Sequence, residues 1–145
     1  MISLLRHVSK LAICRRGASA VEFALVLPLF LVVLFGIIIY GSYIGTVHGV
    51  QQIAAEAARA AVGGLSDSER VDLATNNIEA NVSSYPFLSS SRLTLQSATT
   101  NAATSVFSIT VRYDASDSFV FSLPAFLPTP RKIIVRSAAI QRGGY

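Results

Sequence analysis

Catalysis needs acids, bases, nucleophiles or metal ligands that can converge, and this chain of 145 residues supplies few. Its histidines are His7 and His48 and its one cysteine is Cys14. A serine–histidine arrangement in the C-terminal part is therefore ruled out. No HExxH, CxxC or phosphate-binding glycine loop occurs. Asp114 and Asp117 flank Ala115-Ser116; paired carboxylates can do acid–base work, but turn chemistry accounts for aspartates so placed. His48 reads as a polar residue at an interface. The sequence thus points away from an enzyme, and toward no cofactor, no metal site and no small-molecule substrate. What remains is Glu22, in Gly17-Ala18-Ser19-Ala20-Val21-Glu22-Phe23, at the mouth of a long apolar stretch. A carboxylate in lipid is costly unless paired, and such residues are functional by default. The helix dipole favours an acid in the first turns of a helix. That explains tolerance of the charge, but not its spacing from a glycine preceded by Arg15 and Arg16.

The element that must carry Glu22 is unambiguous. From Phe23 to Val47 there is no Asp, Glu, Lys, Arg or His, a run of 25 residues. As a helix this reaches ~37 Å, enough to cross a hydrocarbon core of ~30 Å with some tilt. A transmembrane helix is predicted. The net charge of +4 comes from Arg6, Lys10, Arg15 and Arg16, because basic and acidic residues balance over the rest of the chain. No basic patch suggests nucleic-acid binding. Four basic residues before the span predict a cytoplasmic N-terminus and an exported C-terminal part. Leu11-Ala12-Ile13-Cys14 is no lipidation site, since its cysteine precedes the apolar stretch and follows bulky Ile13. A cleaved secretory signal ending at Ala58-Arg59-Ala60 is disfavoured, because signal cores run only about 7–15 residues. That reading would yield a secreted domain starting near Val62.

Beyond the apolar run, residues 50–62 (VQQIAAEAARAAV) keep a strongly helical composition. One helix over residues 18–62 is expected to cross the membrane and project beyond it, ended by Gly63-Gly64. Pro28 removes one helical hydrogen bond and should loosen the helix there. Gly41, Gly45 and Gly49 recur every fourth residue, a spacing that lets helix backbones approach closely in lipid. Ser66 and Glu69 have the capping-box spacing, and Val71, Ala74, Ile78 and Val82 form the stripe of a second helix ending near Pro86. The period then changes to two. Leu93 and Leu95, then Phe107, Ile109, Val111 and Tyr113, mark strands; Phe119 and Phe121 suggest a third. A proline-rich loop over residues 123–130 leads into a last strand over 131–140. The fold class is α+β: a long N-terminal helix continuing into an exported domain, residues 63–145, of one helix and a three- or four-stranded antiparallel sheet.

Glu22 is fifth after Gly17 and an aromatic residue, Phe23, is sixth, behind a basic leader and before an apolar helix. This arrangement resembles prepilin processing sites, and more narrowly those of tight-adherence (Tad) pilins and pseudopilins. Type IV pilins usually carry Phe or Met directly after the glycine, where this chain has Ala18. Residues 15–37 followed by 54–62 resemble the TadE-like family of minor pilins. That family often has a second acid–base pair in the membrane segment; here the corresponding positions are neutral, near Ile39 and Ser42. The resemblance implies that residues 1–17 are a leader, cut from the chain between Gly17 and Ala18 by a prepilin peptidase. It implies that Glu22 and Phe23 serve recognition and assembly. It also implies, as partners, other Tad pilins or pseudopilins and an inner-membrane assembly platform. The expected protein is a single-pass bacterial inner-membrane protein with a periplasmic C-terminal domain, open to incorporation into an extracellular pilus. The alternative is an uncleaved, membrane-anchored periplasmic binding or scaffold protein in which Glu22 is incidental.

Overall fold

A computed structural model describes residues 15–121 and 129–141. The basic residues Arg6 and Lys10, Cys14 and most of the proline-rich loop lie outside the described residues. The chain divides into two units, Met1–Ile39 and Tyr40–Tyr145. Helix α1 spans Arg15–Ala60 and continues through Pro28. A single 3-10 turn, Ala61–Gly63, follows it. Helix α2 spans Asp67–Asn81 and passes into a second such turn, Val82–Ser84. Strands β1 (Leu93–Asn101), β2 (Val106–Asp114) and β3 (Ile133–Gln141) form one antiparallel sheet in the order β1-β2-β3. The architecture is α+β, as the change of period from helical to two implies.

Residues 40–145 have a continuous core. From α1, Val50, Ile53, Ala54, Ala57 and Ala58 are all buried, the spacing of one helical face, and Ala61 in the following turn continues it. They join Ala74, Ile78 and Val82 from the second helical segment and the inner face of the sheet. On β2, Phe107, Ile109, Val111 and Tyr113 are buried while the intervening residues are half-exposed. Opposite them on β1 stand Thr100, Ala98, Leu95 and Leu93. Leu95 and Ala98 share the inner face only because the register shifts between Leu95 and Ser97. Without that bulge the alternation begun by Leu93 and Leu95 would turn Ala98 outward.

Three expectations need correction. Phe119–Phe121 is a 3-10 turn, so the sheet has three strands. In this segment Phe119 is exposed, Val120 is buried and Phe121 is half-buried against the core, so the two phenylalanines do not share the buried face that a Phe-x-Phe strand requires. Its backbone bonds are those of turns: Ser118 N–H donates to the Ala115 carbonyl, and Phe121 N–H to that of Ser118. The α-helix ends at Ala60 rather than at residue 62, the 3-10 turn carries the chain to Gly63, and no left-handed backbone closes it, because no described glycine has positive φ. Gly64 is extended (φ −73°, ψ 136°), and what it supplies is space. A Cβ there would lie 2.9 Å from the Arg70 backbone nitrogen and 2.7 Å from its Cγ. At the start of α2, Ser66 Oγ accepts from Glu69 N–H (3.2 Å), as the capping-box spacing predicts. The Glu69 carboxylate, however, accepts from Leu65 N–H (2.8 Å), one residue before the cap.

Candidate functional site

Gly17, Ala18, Glu22 and Phe23 all lie in the first turns of α1, and Ala18, Glu22 and Phe23 are exposed. Ala18 and Glu22 are four residues apart, so they stand on one face about 6 Å apart along the axis. The sequence builds this face simply. Ala18, Ser19 and Ala20 are small, so the backbone around the glycine is open, and Glu22 is the last charge before the apolar run. From Phe23 to Ile38 nearly every large apolar side chain is exposed; Leu25 is 75% and Leu29 67% accessible. Exposure on that scale demands an apolar surrounding. Among the described residues α1 is the one helix long and apolar enough to cross a membrane.

The three glycines differ. A Cβ at Gly41 would have nothing within 4 Å, which leaves its face open. Gly45 is covered by the Phe87 ring, whose nearest carbon would lie 2.9 Å from a Cβ. Gly49 is covered by Leu88 and Tyr85, at 3.4–3.5 Å. At Gly45 and Gly49, the side chains received are thus those of the loop after α2, within residues 40–145. The sequence signal that could have found this contact is Tyr85-Pro86-Phe87-Leu88, which sets three large side chains around a proline. A turn fixes the loop, with Leu88 N–H donating to the Tyr85 carbonyl (3.0 Å). The buried Tyr113 hydroxyl donates to the Phe87 carbonyl (3.2 Å). Partial burial, then the hydrogen bond and negative charge of Glu56, push the pKa of the Tyr85 hydroxyl up to about 12.

Other polar groups are arranged structurally. Asp114 accepts from Ser116 N–H (2.9 Å), which closes the expected turn, and its bonds to Ser116 hold its carboxyl below the usual range. Asp117 pairs with Arg92 across an exposed surface. Among the described residues there is no cluster of His, Cys, Asp and Glu suited to a metal ion. A buried cation that periodicity did not reveal is Arg70, whose Nη1 donates to Asp67 Oδ1 (2.8 Å). That oxygen also accepts from Thr100 Oγ1 (2.7 Å), tying α2 to β1.

Residues 17–59 match the family model described as TadE-like protein. The chain carries a TadE-like segment. The match begins at Gly17 and ends one residue before the end of α1, so it covers the long helix and none of α2 or the sheet. This TadE-like helix relates the chain to tight-adherence pilus systems in general. No curated protein and no solved structure matched the chain.

Proposed function

We propose that this chain is a prepilin-peptidase substrate that acts as a minor pilin or pseudopilin in the assembly or initiation of a Tad (Flp-type) pilus. The observation that supports this reading best is the TadE-like match starting at Gly17, with Glu22 five residues on at the head of an exposed, charge-free helix. In this reading the helix anchors the protein in the bacterial inner membrane, N-terminus inside. A peptidase hydrolyses the Gly17–Ala18 bond, where the glycine lets the backbone extend into a cleft without a side-chain clash. All the excess positive charge of the chain departs with residues 1–17.

Cleavage creates an α-amine at Ala18, cationic at neutral pH because such groups titrate near pH ~8. Between staggered neighbouring subunits that amine neutralises Glu22, which offsets the cost of a carboxylate in lipid and sets the assembly register. The protein works by helix packing and domain contacts with other pilins and an inner-membrane platform, without catalysis or a cofactor.

Mass spectrometry of the membrane-inserted N-terminus tests the proposal. It expects Ala18 as the first residue in cells that express the peptidase, and loss of processing in Gly17→Arg. Glu22→Ala should leave cleavage intact and reduce co-purification with partner pilins. An intact Met1 in peptidase-positive cells would sink the reading and favour an uncleaved membrane-anchored scaffold.

A further inference from the structure

The loop between α2 and β1, residues 82–92, has one charged side chain, Arg92 at its last position, which pairs with Asp117. The stretch before it, residues 80–91 (ANVSSYPFLSSS), contains none. At its centre Phe87 is 51% exposed, although its ring edge rests on Gly45. The ring is not loosely presented: Tyr113 holds the Phe87 carbonyl and the Tyr85–Leu88 turn shapes the backbone on either side.

Where Gly45 lies decides what the exposed face of that ring meets. The charge-free run of α1 begins at Phe23 and ends at Val47. A hydrocarbon core of ~30 Å takes up about 20 residues of helix, which places its far edge near Ser42. Gly45 is three residues further, about 4.5 Å, within a headgroup layer several ångströms deep. Tyr40 and Tyr43 flank that edge, and aromatic residues with a polar tip collect there. Ile44, 52% exposed on the same stretch of helix, extends the apolar surface. Two uncharged segments, far apart in sequence, thus meet at one level of the helix.

We infer that the Tyr85–Leu88 loop is a second membrane contact, with Phe87 seated in the lipid headgroup layer beside α1. Its serines hydrogen-bond at the polar surface while the ring enters the apolar boundary. The contact holds the loop at the bilayer surface. The occupant is lipid because Phe87 rests on Gly45, which belongs to the same charge-free run of α1, Phe23 to Val47, that the bilayer takes up. The inference rests on the reading that α1 spans a bilayer.

The chain has no tryptophan, so Phe87→Trp places a single reporter in the loop. Full-length protein is reconstituted in phosphatidylcholine–phosphatidylglycerol vesicles brominated either near the headgroup or near the bilayer centre. Phe87→Trp should emit at shorter wavelength than Leu65→Trp, a site 90% exposed beyond the end of α1. It should be quenched most by headgroup-proximal bromine, whereas Phe30→Trp should be quenched most by central bromine. Quenching of Phe30→Trp with Phe87→Trp open to aqueous iodide overturns the membrane contact and leaves the span intact. A Phe87→Trp emission shielded from iodide yet untouched by brominated lipid indicates a protein contact and overturns it equally. Absence of quenching at Phe30→Trp overturns the bilayer reading, and the inference with it. If tryptophan disturbs the fold, Phe87→Cys in a Cys14→Ser chain, labelled with a nitroxide, reads the same depth from oxygen against aqueous-relaxant accessibility.

Discussion

Gly64→Ala isolates the effect of one missing Cβ, because its neighbour provides the control. A Cβ at Gly63 would have nothing within 4 Å, whereas at Gly64 it would meet Arg70 N at 2.9 Å and Cα at 3.1 Å. Those two atoms are backbone and cannot swing away as a side-chain tip can. Relief requires the first turn of α2 to move off the Gly63–Gly64 turn. That motion pulls on bonds already long, Glu69 N–H to Ser66 Oγ at 3.2 Å and Arg70 N–H to the Ser66 carbonyl at 3.1 Å. Overpacking costs about 1–3 kcal/mol, and a weakened cap adds up to ~1 kcal/mol. Removing a glycine from the unfolded chain offsets about 0.4–1 kcal/mol. Gly64→Ala should therefore lose about 1–3 kcal/mol, and Gly63→Ala should be neutral or gain a few tenths of that. For a domain of this size each kilocalorie moves Tm by roughly 4–8 °C. Thermal unfolding of the full chain in detergent, followed by circular dichroism, measures the difference. Adding Arg70→Ala removes the Cγ contact but leaves the backbone contacts, so the penalty should persist. Equal Tm values for Gly63→Ala and Gly64→Ala would refute the steric account.

Three further outcomes are expected. Ser105, exposed at the β1–β2 turn, has φ 53°; a left-handed L-residue costs about 1–2 kcal/mol, so Ser105→Gly should gain up to ~1 kcal/mol despite its entropy, and a lower denaturation midpoint would contradict this. Tyr85 holds its proton to about pH 12 in the folded chain against 10.0 for an unperturbed tyrosine. The unfolded chain then ionises first, so stability is full below pH 10 and declines as pH rises toward 12; Tyr85→Phe should flatten that decline, measured as Tm across that pH range. Phe107, 1% exposed and facing Thr100 and Ile140 on the flanking strands, should cost about 3–5 kcal/mol as Phe107→Ala, read from the same thermal transitions.

Much of the architecture was legible because its signals are local. Twenty-five residues without charge can hardly be anything but an apolar helix, and Phe107 to Tyr113 alternate so strictly that β2 and its buried face follow from period alone. The second helix, its cap at Ser66 and the buried positions Ala74, Ile78 and Val82 of its stripe were readable for the same reason, whereas Val71 stays half-buried outside the core and Arg70 is buried beside it. The Gly17–Glu22 spacing was legible too, since both residues sit on one element and their separation along it is set by helical rise.

Tertiary structure decided the features that depend on which surfaces meet. Spacing put Gly41, Gly45 and Gly49 on one face, but only the fold shows that Phe87, Tyr85 and Leu88 cover Gly45 and Gly49 while Gly41 stays open. Two neighbouring glycines read alike at a helix end, yet Gly64 alone is needed for space, because Arg70 approaches it and not Gly63. Phe119 and Phe121 had the composition of a strand, but Phe119 is exposed, Val120 is buried and Phe121 packs against the core, so the alternation fails and the segment is a turn. Periodicity reports what a segment can bury. Only packing between distant segments selects which neighbour does the burying.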